Sequence, residues 1–169
     1  TGIATQTHLF ASKARKTKIL DTRKTTPLLR GLEKYAVRTG GGENHRMGLY
    51  DMVLIKENHI AVAGSIKRAV ELCKKTGKMI EVEVENLSEV MEALEAGADR
   101  IMLDNMEIDE MRAAISMING RAEVEISGNV TPEKIPLLDE LGADYISAGR
   151  ITHSSPALDL SLRVIHDKD

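Results

Sequence analysis

Residues 21–60, DTRKTTPLLRGLEKYAVRTGGGENHRMGLYDMVLIKENHI, place five side chains able to carry positive charge beside short apolar stretches: Arg23, Lys24, His45, Arg46 and Lys56. Arginine presents a planar fork of donors that meets a carboxylate or phosphate two bonds at a time, while lysine acts as a mobile point charge. Together they suit an acidic ligand with more than one anionic group. Basic loop residues are also often simply solvated, but Asp21, Glu43, Asp51 and Glu57 do not dissolve the clustering. Glu81, Glu83 and Glu85 then fall two apart, on one face of any extended stretch. They read either as the solvent face of an edge strand or as an inward set of acids, offset by cations such as Lys24 and Lys56.

Such groups need a frame. Strand candidates at 18–21, 53–56, 79–84, 100–103, 123–126 and 145–148 alternate with helical stretches, the pattern of βα units around a parallel sheet. Helices are expected at 28–38, closed by Gly40, Gly41 and Gly42 with a left-handed residue, at 65–76 with Ser65 as cap, and at 88–96 with Ser88 as cap. Another opens at Thr131-Pro132 and stops at Gly142. The tripeptide Gly97-Ala98-Asp99 recurs as Gly142-Ala143-Asp144, each copy between a helix and a strand. Six strands are fewer than the eight of a TIM barrel, which takes ~250 residues. The expectation is an α/β fold: one domain over residues 1–169, an incomplete or open parallel α/β barrel, TIM-like.

In a parallel barrel the chemistry gathers at the carboxyl ends of the strands. Those positions hold Thr22, Arg23 and Lys24; Lys56 and Asn58; Glu81, Glu83 and Glu85; Asp104 and Asn105; Ser127, Gly128 and Asn129; and Gly149, Arg150, Ile151 and His153. The two glycine-bearing loops at the end of the series lie where barrels often hold a phosphate.

The net charge of −3, from 23 basic and 26 acidic residues, exerts no pull toward nucleic acid or an anionic membrane. With 2% aromatic residues there is no platform for stacking bases. No apolar run is long enough to span a bilayer, so a cytoplasmic protein is expected. Cys73, the single cysteine, shares an apolar helical register with Ile66, Ala69 and Val70 and reads as a core residue without chemistry.

The words DTRKTTP, KYAVRTGGGENHR and LIKENHI, followed by EVEVEN, EAGADRIMLDN, EISGNV and SAGRITHSSPALDLSL, closely resemble the C-terminal barrel domain of quinolinate phosphoribosyltransferase, in order and spacing and over essentially the whole chain. The resemblance implies transfer of phosphoribosyl from phosphoribosyl pyrophosphate to the ring nitrogen of quinolinate, with loss of pyrophosphate and carbon dioxide. It assigns Arg23, His45 and Arg46 to the quinolinate carboxylates and Lys24 and Lys56 to the region toward pyrophosphate. Glu83 and Asp104 fall to the ribose hydroxyls, to Mg2+ brought with the phosphoribosyl donor, and to the cationic sugar carbon. Thr22, Ser127, Gly128, Asn129, Gly149, Arg150 and Ile151 fall to substrate, chiefly the 5′-phosphate, and His153 lies near the site. The family more often has Ser-Gly-Gly where this chain has Ser127-Gly128-Asn129.

His8, His59 and His166 receive no role. The family's separate N-terminal sandwich domain has no counterpart here, and the chain opens at Thr1 on a phrase found well inside family members, so a fragment of a longer two-domain chain is expected. In the family the site faces a homodimer interface, and an arginine from the partner's N-terminal part completes the acceptor pocket. The resemblance therefore implies a homodimer or higher homo-oligomer and sharply reduced catalysis by these residues alone. Three other readings stay open at this stage: an aldolase-like barrel with Lys56 as Schiff-base lysine, a phosphoribosyltransferase with another acceptor, and a barrel that binds ligands or acts as a scaffold without turnover.

Overall fold

The computed structural model describes residues 1–165; His166 lies outside them. Helix α1 (Gly2–Ala11) leads into β1 (Lys18–Leu20) and α2 (Arg30–Thr39), followed by β2 (Val53–Ile55), α3 (Glu57–Ala63) and α4 (Ile66–Lys74). Regular alternation then runs through β3 (Ile80–Val84), α5 (Leu87–Ala96), β4 (Arg100–Asp104), α6 (Ile108–Ile118), β5 (Glu123–Ser127), α7 (Ile135–Asp139), β6 (Tyr145–Ser147) and α8 (Arg150–His153). All strands pair in parallel in the order β1-β6-β5-β4-β3-β2, so the sheet curls in chain order and stays open between β1 and β2. The expected open barrel of fewer than eight strands is the fold observed among the described residues. No helix among them is long and apolar enough to cross a membrane.

Period-two alternation separates two environments. Ile80, Val82, Val84, Ile101, Leu103, Val124, Ile126 and Ile146 are buried on the helix side, packed with Val70, Val90, Ala93, Ala114 and Ile118. The opposite face carries Glu81, Glu83, Arg100, Met102, Asp104, Glu123, Glu125, Ser127, Tyr145 and Ser147, aligned across neighbouring strands by the register. Barrel interiors are usually filled with branched apolar residues. Here the apolar core lies outside the curl, and the inside is a charged layer open at the strands' carboxyl ends.

Several boundaries differ from expectation for local reasons. Helix α2 begins at Arg30 rather than 28, because Leu28 has φ 68, a left-handed conformation incompatible with a right-handed helix. Ser65 does cap α4, accepting the Arg68 N–H, but α5 is capped by Asn86, not Ser88: Asn86 Oδ1 accepts the Glu89 N–H at 3.0 Å. Residues Thr131–Lys134 form a turn, and the regular helix starts only at Ile135. Within the glycine triplet Gly41 takes the left-handed φ of 90, whereas a Cβ at Gly40 or Gly42 would strike α1. Cys73 is half-buried against the core rather than sealed within it.

The Gly-Ala-Asp repeat is a strand staple. Gly97 and Gly142 leave their helices at φ 77 and 83. The aspartates that follow then reach sideways: Asp99 Oδ2 accepts the Ile80 N–H at 2.7 Å and Asp144 Oδ2 the Val124 N–H at 2.8 Å. Each repeat thus ties the start of one strand to its neighbour.

Candidate active site

The curl encloses a cavity of about 990 Å³ at the carboxyl ends of the strands. Of the residues expected there, Thr22, Arg23, Lys24, His45, Arg46, Lys56, Glu83, Asp104, Ser127, Gly128, Asn129, Gly149, Arg150 and His153 all line it. Ile151 does not. Its side chain is buried in the apolar core and its N–H donates to Ala148 O at 3.3 Å, because the short helix α8 turns that position inward. Asn58 is also outside the lining and donates to Glu57.

The basic side is assembled around Asp21, the last buried residue of the β1 stretch. Asp21 accepts Lys34 Nζ at 2.5 Å, Asn44 Nδ2 at 2.7 Å and the His45 backbone N–H at 2.8 Å. It therefore joins the word DTRKTTP to GGGENHR, two segments separated by α2. Lys34 is itself buried, and its second bond, to His45 O at 2.8 Å, closes the loop. Glu43 adds a bridge beside Leu20 and fills part of the gap at the open edge.

On this support Arg23 and Arg46 stand close enough to repel. Burial, then the Arg23 charge, weighs against the Arg46 guanidinium and lowers its pKa. Arg46 donates to Met52 O at 3.1 Å, whereas Arg23 Nε is buried with no hydrogen-bond partner. Neither arginine forms an ion pair among the described residues. Two half-buried guanidiniums without acidic partners, one with an orphaned donor, form a seat for a ligand with two anionic groups.

Across the cavity Lys56 is ion-paired with Glu83. Burial pushes the Glu83 carboxyl up; Lys56 pulls it back, and the neighbouring Asp104 charge adds to the rise. A Schiff-base lysine is activated by an apolar pocket or a neighbouring cation, and Glu83 supplies neither. Asp104 is tied to the next loop, since Asn105 Nδ2 donates to Asp104 Oδ2 at 2.8 Å and Asn129 Nδ2 to Asn105 Oδ1 at 3.0 Å. Gly128, at φ 96, lets the two loops touch: a Cβ there would run into Asn105. Asn129 holds φ 47, a conformation asparagine tolerates better than most residues. On the last loop Thr152 Oγ1 donates to Lys24 O at 2.7 Å, fixing α8 to the segment after β1.

Of the three glutamates at 81–85, only two belong to β3, which is an interior strand paired on both sides. Glu85 follows the strand, exposed at the rim; Glu83 faces the cavity; Glu81 is sealed below it. The groups nearest Glu81 are not Lys24 and Lys56 but His45 and, through Glu125, Arg100. His45 Nε2 lies 2.9 Å from Glu81 Oε2 and 3.4 Å from Glu125 Oε2. Burial works against a proton on the ring, but Glu125 and Glu81 outweigh it and raise the His45 pKa. Burial, then the Glu125 charge, pushes Glu81 up to about 7. His45 Nδ1 accepts the Arg46 backbone N–H at 2.8 Å, which leaves that nitrogen without a proton. The cluster's extra proton therefore lies on the Nε2–carboxylate side.

Sequence reasoning passed over Glu125, which also lines the cavity floor, and the Asp21–Lys34 pair. The signal for Glu125 was present: Glu-x-Glu words at 81–83 and 123–125 flank a strand that opens with Arg100, at a spacing that turns all of them to one face.

Residues 3–163 match the family model described as "Quinolinate phosphoribosyl transferase, C-terminal domain". The chain is 48% identical to the probable carboxylating nicotinate-nucleotide pyrophosphorylase of Bacillus subtilis, covering 96% of this chain and 58% of that one. It is 47% identical to the chloroplastic carboxylating nicotinate-nucleotide pyrophosphorylase of Arabidopsis thaliana, covering 96% of this chain and 53% of that one. The solved structure of the nicotinate-nucleotide pyrophosphorylase from Francisella tularensis superposes with a TM-score of 0.91 at 48% identity, over 95% of this chain and 59% of that one. The chain thus spans about half the length of the curated relatives it matches. Fold, sequence identity and near-complete coverage by the family model agree: this chain belongs to the family of quinolinate phosphoribosyl transferase C-terminal domains.

Proposed function

We propose that the protein transfers phosphoribosyl from phosphoribosyl pyrophosphate to the ring nitrogen of quinolinate, releasing pyrophosphate and carbon dioxide and forming nicotinate mononucleotide. The observation that carries this reading is the unpaired arginine couple, Arg23 and Arg46, facing Lys56, Glu83 and Asp104 across one cavity. A pyridine dicarboxylate offers adjacent anionic groups to that couple, and its nitrogen is then directed toward the acidic wall. The names of the relatives above support the same substrate and product class.

Each wall has a task in this reading. Arg23 and Arg46 bind and orient the acceptor, converting an encounter of two solutes into a reaction between held groups. Lys24 and Lys56 face the pyrophosphate as it gathers charge. Ser127, Gly128, Asn129, Gly149 and Arg150 hold the 5′-phosphate, with the glycines allowing close backbone approach. Glu83 and Asp104 orient the ribose hydroxyls and present preorganised negative charge to a sugar carbon that becomes cationic in the transition state. An oxygen-only pair of this kind fits Mg2+, which binds through one or two carboxylates plus substrate phosphates. When bound with the donor, Mg2+ supplies neutralisation of the leaving pyrophosphate. Once the acceptor nitrogen carries the ribosyl group, its positive charge stabilises the electron pair left on the adjacent ring carbon as the carboxylate departs as carbon dioxide; that carbon then takes a proton from water, and the cavity needs only to hold the adduct. His153, at the rim, is near this chemistry without a separate task.

A homodimer or higher homo-oligomer is part of the proposal. Leu32, Tyr35, Leu49 and Tyr50 lie exposed on α2 and the adjoining loop, and apolar side chains exposed together mark association surfaces. Action in the cytoplasm is the compartment proposed.

The decisive experiment is release of carbon dioxide from carboxyl-labelled quinolinate. Release that depends on phosphoribosyl pyrophosphate and yields nicotinate mononucleotide is expected; turnover of a different acceptor with quinolinate left untouched would overturn the reading.

A further inference from the structure

Directly beneath the cavity lie two carboxylates that the reaction as described does not use. Glu81 and Glu125 are each 0% exposed, and both oxygens of Glu81, Oε1 of Glu125 and Nε2 of His45 are sealed from solvent without a well-aligned hydrogen bond. Sealing an acid in this way is costly unless a neighbour answers it. Arg100 serves Glu125 at 3.4 Å, but it is already committed to Glu123 at 2.8 Å and stacked on Tyr145 at 4.0 Å, so it is not free to turn toward Glu81. What meets Glu81 is the His45 ring, 2.9 Å away.

That ring has two edges. Nε2 faces the buried acids, and Nδ1 accepts the backbone N–H of Arg46. Below the ring the carboxylates belong to β3 and β5, rigid interior strands; above it the Arg46 arm belongs to a loop at the open edge of the sheet. His45 is therefore a rivet between the most fixed part of the fold and a loop whose other ties, to Asp21, Lys34 and Arg30, all run to β1 and α2 rather than to the interior strands.

We propose that Glu81 and Glu125 are positioning residues for the acceptor: from inside the sheet they hold the His45 ring, and the ring sets the Arg46 backbone from which the acceptor-binding guanidinium projects. The inference rests on Arg46 being an acceptor-binding residue, as proposed above. It also gives His45 a different task from a direct carboxylate clamp, because both ring nitrogens already face groups of the protein. Glutamine at 81 keeps an oxygen for Nε2–H to meet; leucine of similar size does not.

The test is amide exchange at Arg46, followed by NMR in the wild type, Glu81→Leu and Glu81→Gln. Glu81→Leu is expected to speed Arg46 exchange by about tenfold, the worth of one close buried polar contact, while Val82 and Val84 stay protected and Glu81→Gln stays near the wild type. In the active form of the protein the same leucine variant raises KM for quinolinate by about tenfold and leaves KM for phosphoribosyl pyrophosphate within about twofold. Unchanged Arg46 exchange in a folded leucine variant, or glutamine as damaging as leucine, overturns the proposal. So does a wild-type His45 whose Nδ1 carries the proton, read from its nitrogen shifts, a measurement that needs no variant to fold. Failure of the acceptor reading is seen separately, as an Arg46→Ala protein that keeps its quinolinate KM.

Discussion

Replacing Asp21 by alanine removes three contacts at once. Lys34 Nζ loses its 2.5 Å partner while buried at 1% exposure, and the amides of Asn44 and His45 lose their acceptors. Breaking a buried ion pair by deleting one partner costs about 3–5 kcal/mol, since the remaining charge is left uncompensated. Domains of this size hold only ~5–15 kcal/mol in total. With a urea dependence of roughly 2 kcal/mol per molar, the midpoint of unfolding should fall by about 2 M. The double variant Asp21→Leu with Lys34→Met removes the stranded charge and should recover most of that loss, because apolar replacement of a whole buried pair is often close to neutral. Urea titrations of the wild type, Asp21→Ala and the double variant decide the matter. A loss under about 1 kcal/mol for Asp21→Ala, or a double variant no better than the single, would refute the view of Asp21 as the joint between the two basic segments.

Stability should also fall as pH rises from 4.5 to about 7. Unfolded Glu81 releases its proton near 4.5, whereas the folded cluster holds it on the buried acid side until about 7, so the contribution is complete below the first value and gone above the second. The difference is worth about 3 kcal/mol, and urea midpoints that stay level across this window would contradict it. Gly128→Ala combines a φ of 96 with a collision at Asn105, so it should weaken phosphoribosyl pyrophosphate binding by about tenfold or more and leave quinolinate binding little changed, measured by calorimetry. Asn129→Gly relaxes a left-handed residue but frees Asn105 and, through it, Asp104; thermal stability should hold while kcat falls about threefold, the worth of one exposed hydrogen bond.

Much of the frame was legible because each strand candidate coincided with an alternation that the fold turns to use. Val82, Val84, Ile101 and Leu103 had to face helices, and that assignment sends Glu83 and Asp104 to the other side. Helix ends were less legible where a local bond outranked a preference: Leu28 sits left-handed despite its type, and Asn86 rather than Ser88 takes the cap. The site was readable at strand ends, where position alone implies chemistry. Ile151 failed because a four-residue helix turned it inward, and no periodicity operates over so short a piece. Glu125 and Lys34 were missed for another reason. Charged residues are ordinarily assigned to solvent, and only the fold reveals which ones are answered by a buried partner.

In the proposed reaction the arginine couple recognises the acceptor while the opposite wall recognises the donor. The most direct measurement is calorimetric binding of quinolinate and of phosphoribosyl pyrophosphate to the active form of the protein, in the wild type and in Arg46→Ala. Quinolinate affinity should drop by at least about tenfold with donor affinity within about twofold of the wild type. Equal loss of both, or a quinolinate affinity untouched by the substitution, would contradict it.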